Sequence, residues 1–60
     1  MNDIKFETIK LLNGIRYLSN EQTNDFKSYV RHHLKLEDIE ENNKLIQESI
    51  DIYFTVQNNY

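Results

Sequence analysis

Cysteine, proline, alanine and tryptophan are all absent from the chain, and glycine occurs once, at Gly14. Without cysteine no disulfide can staple the fold, the thiolate ligands of the common zinc sites are missing, and a reducing compartment is the natural setting. A single glycine rules out the G-x-S-x-G nucleophile elbow, the Walker loop and the G-x-G-x-x-G fingerprint together, because each needs glycine at more than one position. The spacing of an EF-hand calcium loop is missing too. No stretch approaches the ~18 apolar residues of a membrane span, and no basic start precedes an apolar run, so neither span nor signal peptide is expected and the protein is expected to be cytoplasmic. No enzymatic activity, cofactor, metal or small-molecule substrate is expected either.

What is present is small. Sixty residues of 7.3 kDa leave room for one domain and one core. Surface scaling gives roughly 4,000 Å² exposed when folded against roughly 10,600 Å² unfolded, so only about 60% of the surface is buried, and the gain from burial nearly cancels the cost of ordering the chain. Small chains of this kind add a disulfide, a metal or a partner subunit, and the first is excluded here. A net charge of -3 and a pI near 5.2 disfavour nonspecific attraction to nucleic acid or anionic lipid. The richness in Asn, Ile, Lys and Tyr is the bias of an AT-rich coding sequence, which hints at a low-GC bacterium, its plasmids or its phages.

Two helices are predicted from local signals. Ser19-Asn20-Glu21-Gln22 has the S-x-x-Q form of a capping box, and beyond it Phe26, Tyr29, Val30, His33 and Leu34 recur at three- and four-residue spacings on one face. A second helix is expected to start near Asp38, with Glu40 and Glu41 in its first turn, and to run to about Gln57. Wound at about 100° per residue, it carries Ile39, Ile46, Ile50, Tyr53 and Phe54 on one stripe and Leu45, Ile52, Val56 and Tyr60 on a second, roughly 120° away. So wide an apolar face needs more than one neighbour: either this helix is central in a three-element core or its second stripe is an interface.

The first 18 residues admit three readings. As a helix, Ile4, Leu11, Ile15 and Leu18 share a stripe, with Asn2 or Asp3 as cap. Asn13-Gly14 is poor in a helix interior and is a strong hairpin signal. A third reading ends the helix at Leu12 or Asn13, with Gly14 as a left-handed stop and Ile15 to Leu18 as an extended connector. The fold class expected is all-α, a small dimeric three-helix domain made of a helical hairpin plus an N-terminal helix; the alternative is an N-terminal hairpin or strand followed by two helices.

Candidate chemistry is sparse. His32 and His33 point about 100° apart on a helix and are poorly placed to chelate one metal; His33 is read as a packed histidine on the apolar stripe. Glu37, Asp38, Glu40 and Glu41 are read as a helix start and solvated face, with a contact patch for a basic partner as the alternative. Phe26, Tyr29, Tyr53 and Phe54 are assigned to the core. On a helical first segment Phe6, Tyr17 and Ile9 make a second apolar patch of the kind found at interface centres.

The function expected from these features is a protein-protein interaction module, a homodimeric regulator or inhibitor of a partner protein. Its interface residues are Leu45, Ser49, Ile52, Val56 and Tyr60 on the last helix, with Phe6 and Tyr17 near the N-terminus. The alternative comes from a resemblance. Gly14-Ile15-Arg16-Tyr17-Leu18-Ser19 with Asn20-Glu21-Gln22 looks like the strand and first helix cap of ribbon-helix-helix proteins, and Lys44 to Tyr53 is similar to their second helix. That resemblance, confined to residues 14 to 54, implies a dimeric DNA-binding repressor or antitoxin with Arg16 in the strand. The family's short Gly-containing turn is replaced by the longer stretch from Lys35 to Asn43, and the second helix opens acidic. Lys27, Arg31, His32 and Lys35 form a modest basic edge that keeps nucleic acid open as a partner.

Overall fold

The structure, a computed structural model, describes residues 3–58. Three helices and no strand are found among them: α1, Ile4–Leu12; α2, Asn20–Leu34; and α3, Glu40–Asn58. The all-α expectation therefore holds, and the strand or hairpin alternative for the N-terminal segment is corrected.

Helix α1 begins where Asp3, in extended conformation, accepts a hydrogen bond from the Phe6 amide at 3.1 Å. It ends at Leu12, not beyond Gly14, so the reading of one helix to residue 18 is also corrected. Asn13 has φ -54° and ψ 124°, Gly14 has φ 90°, and the Ile15 amide donates to the Leu12 carbonyl at 2.9 Å. Those values describe a type II turn with glycine at its third position, where positive φ is required. Asn-Gly therefore serves as a helix exit, and Ile15 to Leu18 run without regular structure into the cap of α2.

The capping box at Ser19 forms as its sequence predicts: Ser19 Oγ accepts from the Gln22 amide at 3.1 Å, and Gln22 Oε1 accepts from the Ser19 amide at 3.0 Å. At the other end of α2 the chain stops at Lys35 in the left-handed conformation, φ 57° and ψ 46°. The Leu36 amide donates to the Arg31 carbonyl at 2.8 Å and the Lys35 amide to that of His32 at 3.3 Å, the paired bonds of a Schellman motif. Lysine occupies the position that glycine favours.

Helix α3 starts at Glu40, two residues beyond Asp38 and in keeping with the expected start near it, and the Asp38 carboxylate just outside the helix is held by its neighbours. It accepts from Asn43 Nδ2 at 2.7 Å and lies 3.9 Å from Arg31 Nε, while Arg31 Nη1 donates to Asn43 Oδ1 at 2.7 Å and Nη2 to Ser28 Oγ at 3.0 Å. This lock ties the end of α2 to the first turn of α3.

The core consists of Leu12, Phe26, Val30, Ile46 and Ile50, with Ile4, Leu11, Leu34, Tyr53 and Phe54 among the half-buried residues packed against it. Thr8 and Ser49 are wholly buried as well, each hydroxyl donating to the carbonyl one turn back, Ile4 at 2.6 Å and Leu45 at 2.8 Å. Small side chains at these positions let α1 lie close against α3, which is its main neighbour. The two run in the same direction: Lys5 pairs with Glu48 at 3.6 Å near one end, and Asn13 and Gly14 share a cleft with Tyr53 and Gln57 at the other. Helix α2 packs on this pair from one side only, and the shortest extent of the molecule is 18 Å, little more than two helix layers.

Candidate functional site

Helical phase defines the face of the α1/α3 layer that α2 does not cover. On α1, turning from buried Thr8 past Lys5 leads to Ile9 and then Phe6; on α3, turning from buried Ser49 past Leu45 leads to Ile52 and then Glu48. Because the helices are parallel and Lys5 meets Glu48, both sequences of turns arrive on the same side of the layer. Ile9 lies one turn beyond Lys5, and Ile52 one turn beyond Glu48. Phe6 is 58% exposed, Ile52 47% and Val56 50%. These aliphatic and aromatic groups, next to an exposed ion pair, leave apolar surface open on the α1/α3 layer.

The expected interface residues are divided by this geometry. Phe6, Ile52 and Val56 are on the open face, and Leu45 is half-buried at its edge. Ser49 is sealed inside, so its place among the interface residues is corrected: the small side chain accommodates α1 of the same chain. Tyr17 is 74% exposed but belongs to the connector beside Phe54 and Asn58, so it no longer shares one helical face with Phe6. Tyr60 lies outside the described residues.

A second exposed group was assigned to the core and is not in it. Tyr29 is 52% exposed and His33 is exposed too, their rings stacked at 5.8 Å, with Phe26 6.1 Å from Tyr29. These residues stand toward the C-terminal end of α2, where Arg31 meets Asn43 of α3, whereas α1 starts only near the level of Glu48, and the stripe is buried only at Phe26 and Val30. His33 is thus a packed histidine as read from the sequence, stacked on an aromatic ring, but at the surface and outside the core. Ile39, 44% exposed, precedes the first turn of α3 and drops out of the core stripe for that reason.

Neither the basic edge nor the acidic cluster converges on a site. Arg31, whose side chain is 18% exposed, is held by Asn43, Ser28 and Asp38, which takes the strongest cation of the basic edge away from solvent. Among the described residues no three His, Asp or Glu side chains come together as metal ligands. Two open clefts, of about 430 and 270 Å³, flank Arg16 near the end of α3. The first is lined by Asn13, Gly14, Arg16, Tyr53 and Gln57. Within it Tyr53 Oη accepts from Gln57 Nε2 at 2.8 Å, and no carboxylate, histidine or hydroxyl nucleophile is paired with a base. No helix is long and apolar enough to cross a membrane among the described residues. Comparison of the chain with protein-family models, with curated proteins and with solved structures finds no match.

Proposed function

We propose that this chain is a non-enzymatic protein-binding module, a small helical regulator or inhibitor that works by covering a surface of another protein molecule. The observation that carries this is the open face of the α1/α3 layer, where Phe6, Ile52 and Val56 are each about half exposed or more on a fold already poor in core. Apolar groups grouped on one face, beside charges at the rim, have the anatomy of an interface centre. The polar chemistry present supports the same conclusion by being used structurally: Ser19, Gln22, Arg31, Asp38 and Asn43 cap helices or lock the second loop.

The test is site-directed photocrosslinking in cells that produce the protein. A photoreactive side chain at position 52 should give a discrete adduct, whereas one at exposed Asn24, on the outer side of α2, should not. Adducts absent from position 52, or the same adducts from both positions, would refute the proposed surface.

A further inference from the structure

We infer that the Asn13-Gly14 turn is a site of spontaneous covalent modification in the folded protein: the Gly14 amide nitrogen attacks the Asn13 carboxamide, ammonia leaves, and water opens the resulting ring to aspartate or isoaspartate. The inference is independent of the docking proposal and goes beyond it.

The turn leaves both reacting groups unengaged. Asn13 and Gly14 are exposed, and among the described residues neither the Asn13 side chain nor the Gly14 amide takes part in a hydrogen bond. The bond across the turn, from the Ile15 amide to the Leu12 carbonyl at 2.9 Å, closes around the Asn13-Gly14 peptide without using it. That peptide can therefore rotate without breaking a hydrogen bond, and rotation is what brings the Gly14 nitrogen from its place at Asn13 ψ 124° toward Cγ. Glycine removes the remaining obstacle. It carries no Cβ to shield the nitrogen, it passes between positive and negative φ at little cost, and nothing lies within 4 Å of where a Cβ would stand.

Asn42 has the opposite arrangement. Its Nδ2 donates to the Glu37 carbonyl at 3.0 Å, and the nitrogen that would attack it, the Asn43 amide, donates to the Ile39 carbonyl at 3.0 Å. Asn24 lies inside α2, where the amide of the next residue belongs to the helix ladder.

The chemistry needs only water and hydroxide. Loss of the Gly14 amide proton to solvent lets the nitrogen bond to Cγ; the Cγ–Nδ2 bond breaks, and Nδ2 leaves as ammonia with a proton from water. Water then cleaves one of the two carbonyl bonds of the ring nitrogen. Cleavage from Cγ leaves aspartate in the original chain, and cleavage from the Asn13 main-chain carbon leaves isoaspartate, with the chain rerouted through Cγ. Either product places a negative charge at the C-terminal end of α1, where the helix dipole opposes it, on the wall of a cleft shared with Arg16. Isoaspartate also lengthens the main chain by a methylene, which a type II turn cannot absorb, directly after Leu12, 0% exposed in the core. Modification thus loosens the end of α1 and gives the folded chain a finite lifetime.

The test holds the folded protein at neutral and at mildly alkaline pH, samples it over weeks, and follows each asparagine by peptide mass spectrometry, with isoaspartate counted by enzymatic methylation. Asn13 should be converted at least about tenfold faster than Asn24 or Asn42, because its turn opens at little cost while theirs open only with their helices. The product should be mainly isoaspartate, formed faster at the higher pH. The chain unfolded in urea should convert Asn13 at most about tenfold faster than the folded chain does. Gly14→Ala should slow conversion in urea, where the strain of a Cβ in the folded turn plays no part. The isoaspartate form, isolated by chromatography, should unfold at a lower urea concentration than the unmodified chain. Conversion at Asn13 no faster than at Asn24 and Asn42, or protection by the fold greater than the stated factor, overturns the site. Aspartate formed without isoaspartate, or Gly14→Ala as fast as wild type, overturns the ring route. An unchanged unfolding midpoint overturns the loosening of α1.

Discussion

Position 49 separates an inward-facing residue from an interface residue, and its substitutions should show which it is. Ser49 is 0% exposed, and its hydroxyl donates only to the Leu45 carbonyl of its own helix. Ser49→Ala removes that bond, a net loss of about 1 kcal/mol, and regains part of it through the higher helix propensity of alanine, about 0.5 kcal/mol. The sum should be a change of under about 1 kcal/mol. Ser49→Leu instead forces a branched side chain into the contact between α1 and α3, where overpacking costs about 1–3 kcal/mol or more. A 60-residue fold has roughly 3–9 kcal/mol in all. With a urea slope near 1 kcal/mol per M, the leucine variant should unfold ~1–3 M earlier when followed by circular dichroism, and the alanine variant within ~1 M of wild type. If leucine at 49 leaves the midpoint unchanged or raises it, α1 does not seal this site and the packing described for the α1/α3 layer is wrong.

Other substitutions probe the turns and locks by the same unfolding measurement. Lys35→Gly should stabilise the protein by up to about 1 kcal/mol, because lysine stands at φ 57°, where glycine has no Cβ to strain; a loss would mean that Lys35 makes a contact worth more than its backbone strain. Gly14→Ala should cost about 1–2 kcal/mol from backbone conformation alone, since nothing lies within 4 Å of the added Cβ at φ 90°. Ser19→Ala should cost about 0.5–2 kcal/mol through the capping box, and Gln22→Ala less, with the double variant falling short of the sum. Arg31→Ala should cost about 1.5–3 kcal/mol by undoing hydrogen bonds to a half-buried guanidinium, whereas Lys10→Ala, which breaks an exposed i,i+3 pair, should stay within about 0.5 kcal/mol.

Much of the local structure was legible in the residues. Ser19 and Gln22 specify the start of α2 because a cap uses only groups three positions apart, and Asp3 does the same for α1. The stripe of Ile46, Ile50, Tyr53 and Phe54 follows from helical geometry alone. Gly14 marked a break, but hairpin, stop and kink share that signal, and only the type II turn at Asn13-Gly14, with Leu12 buried just before it, separates them. The end of α2 at Lys35 had no sequence signal, since left-handed backbone at a lysine is imposed by its surroundings.

Burial is where periodicity reached its limit. A stripe says which residues share a face and nothing about how far a neighbour extends along it. Tyr29 and His33 are on the same face as Phe26 and Val30 but beyond the reach of α1, and so are exposed. Thr8 and Ser49 were unremarkable as residue types, yet they are buried because two helices approach there and small side chains permit it. The sequence by itself determined two amphipathic helices, the capping box that opens the first of them and a core too thin to use every apolar group, because these depend on spacing and composition. Only the tertiary structure decided which apolar groups stay outside, because that depends on how little of α2 the short α1, Ile4–Leu12, spans and on its lying parallel to α3 while α2 covers one side of the pair.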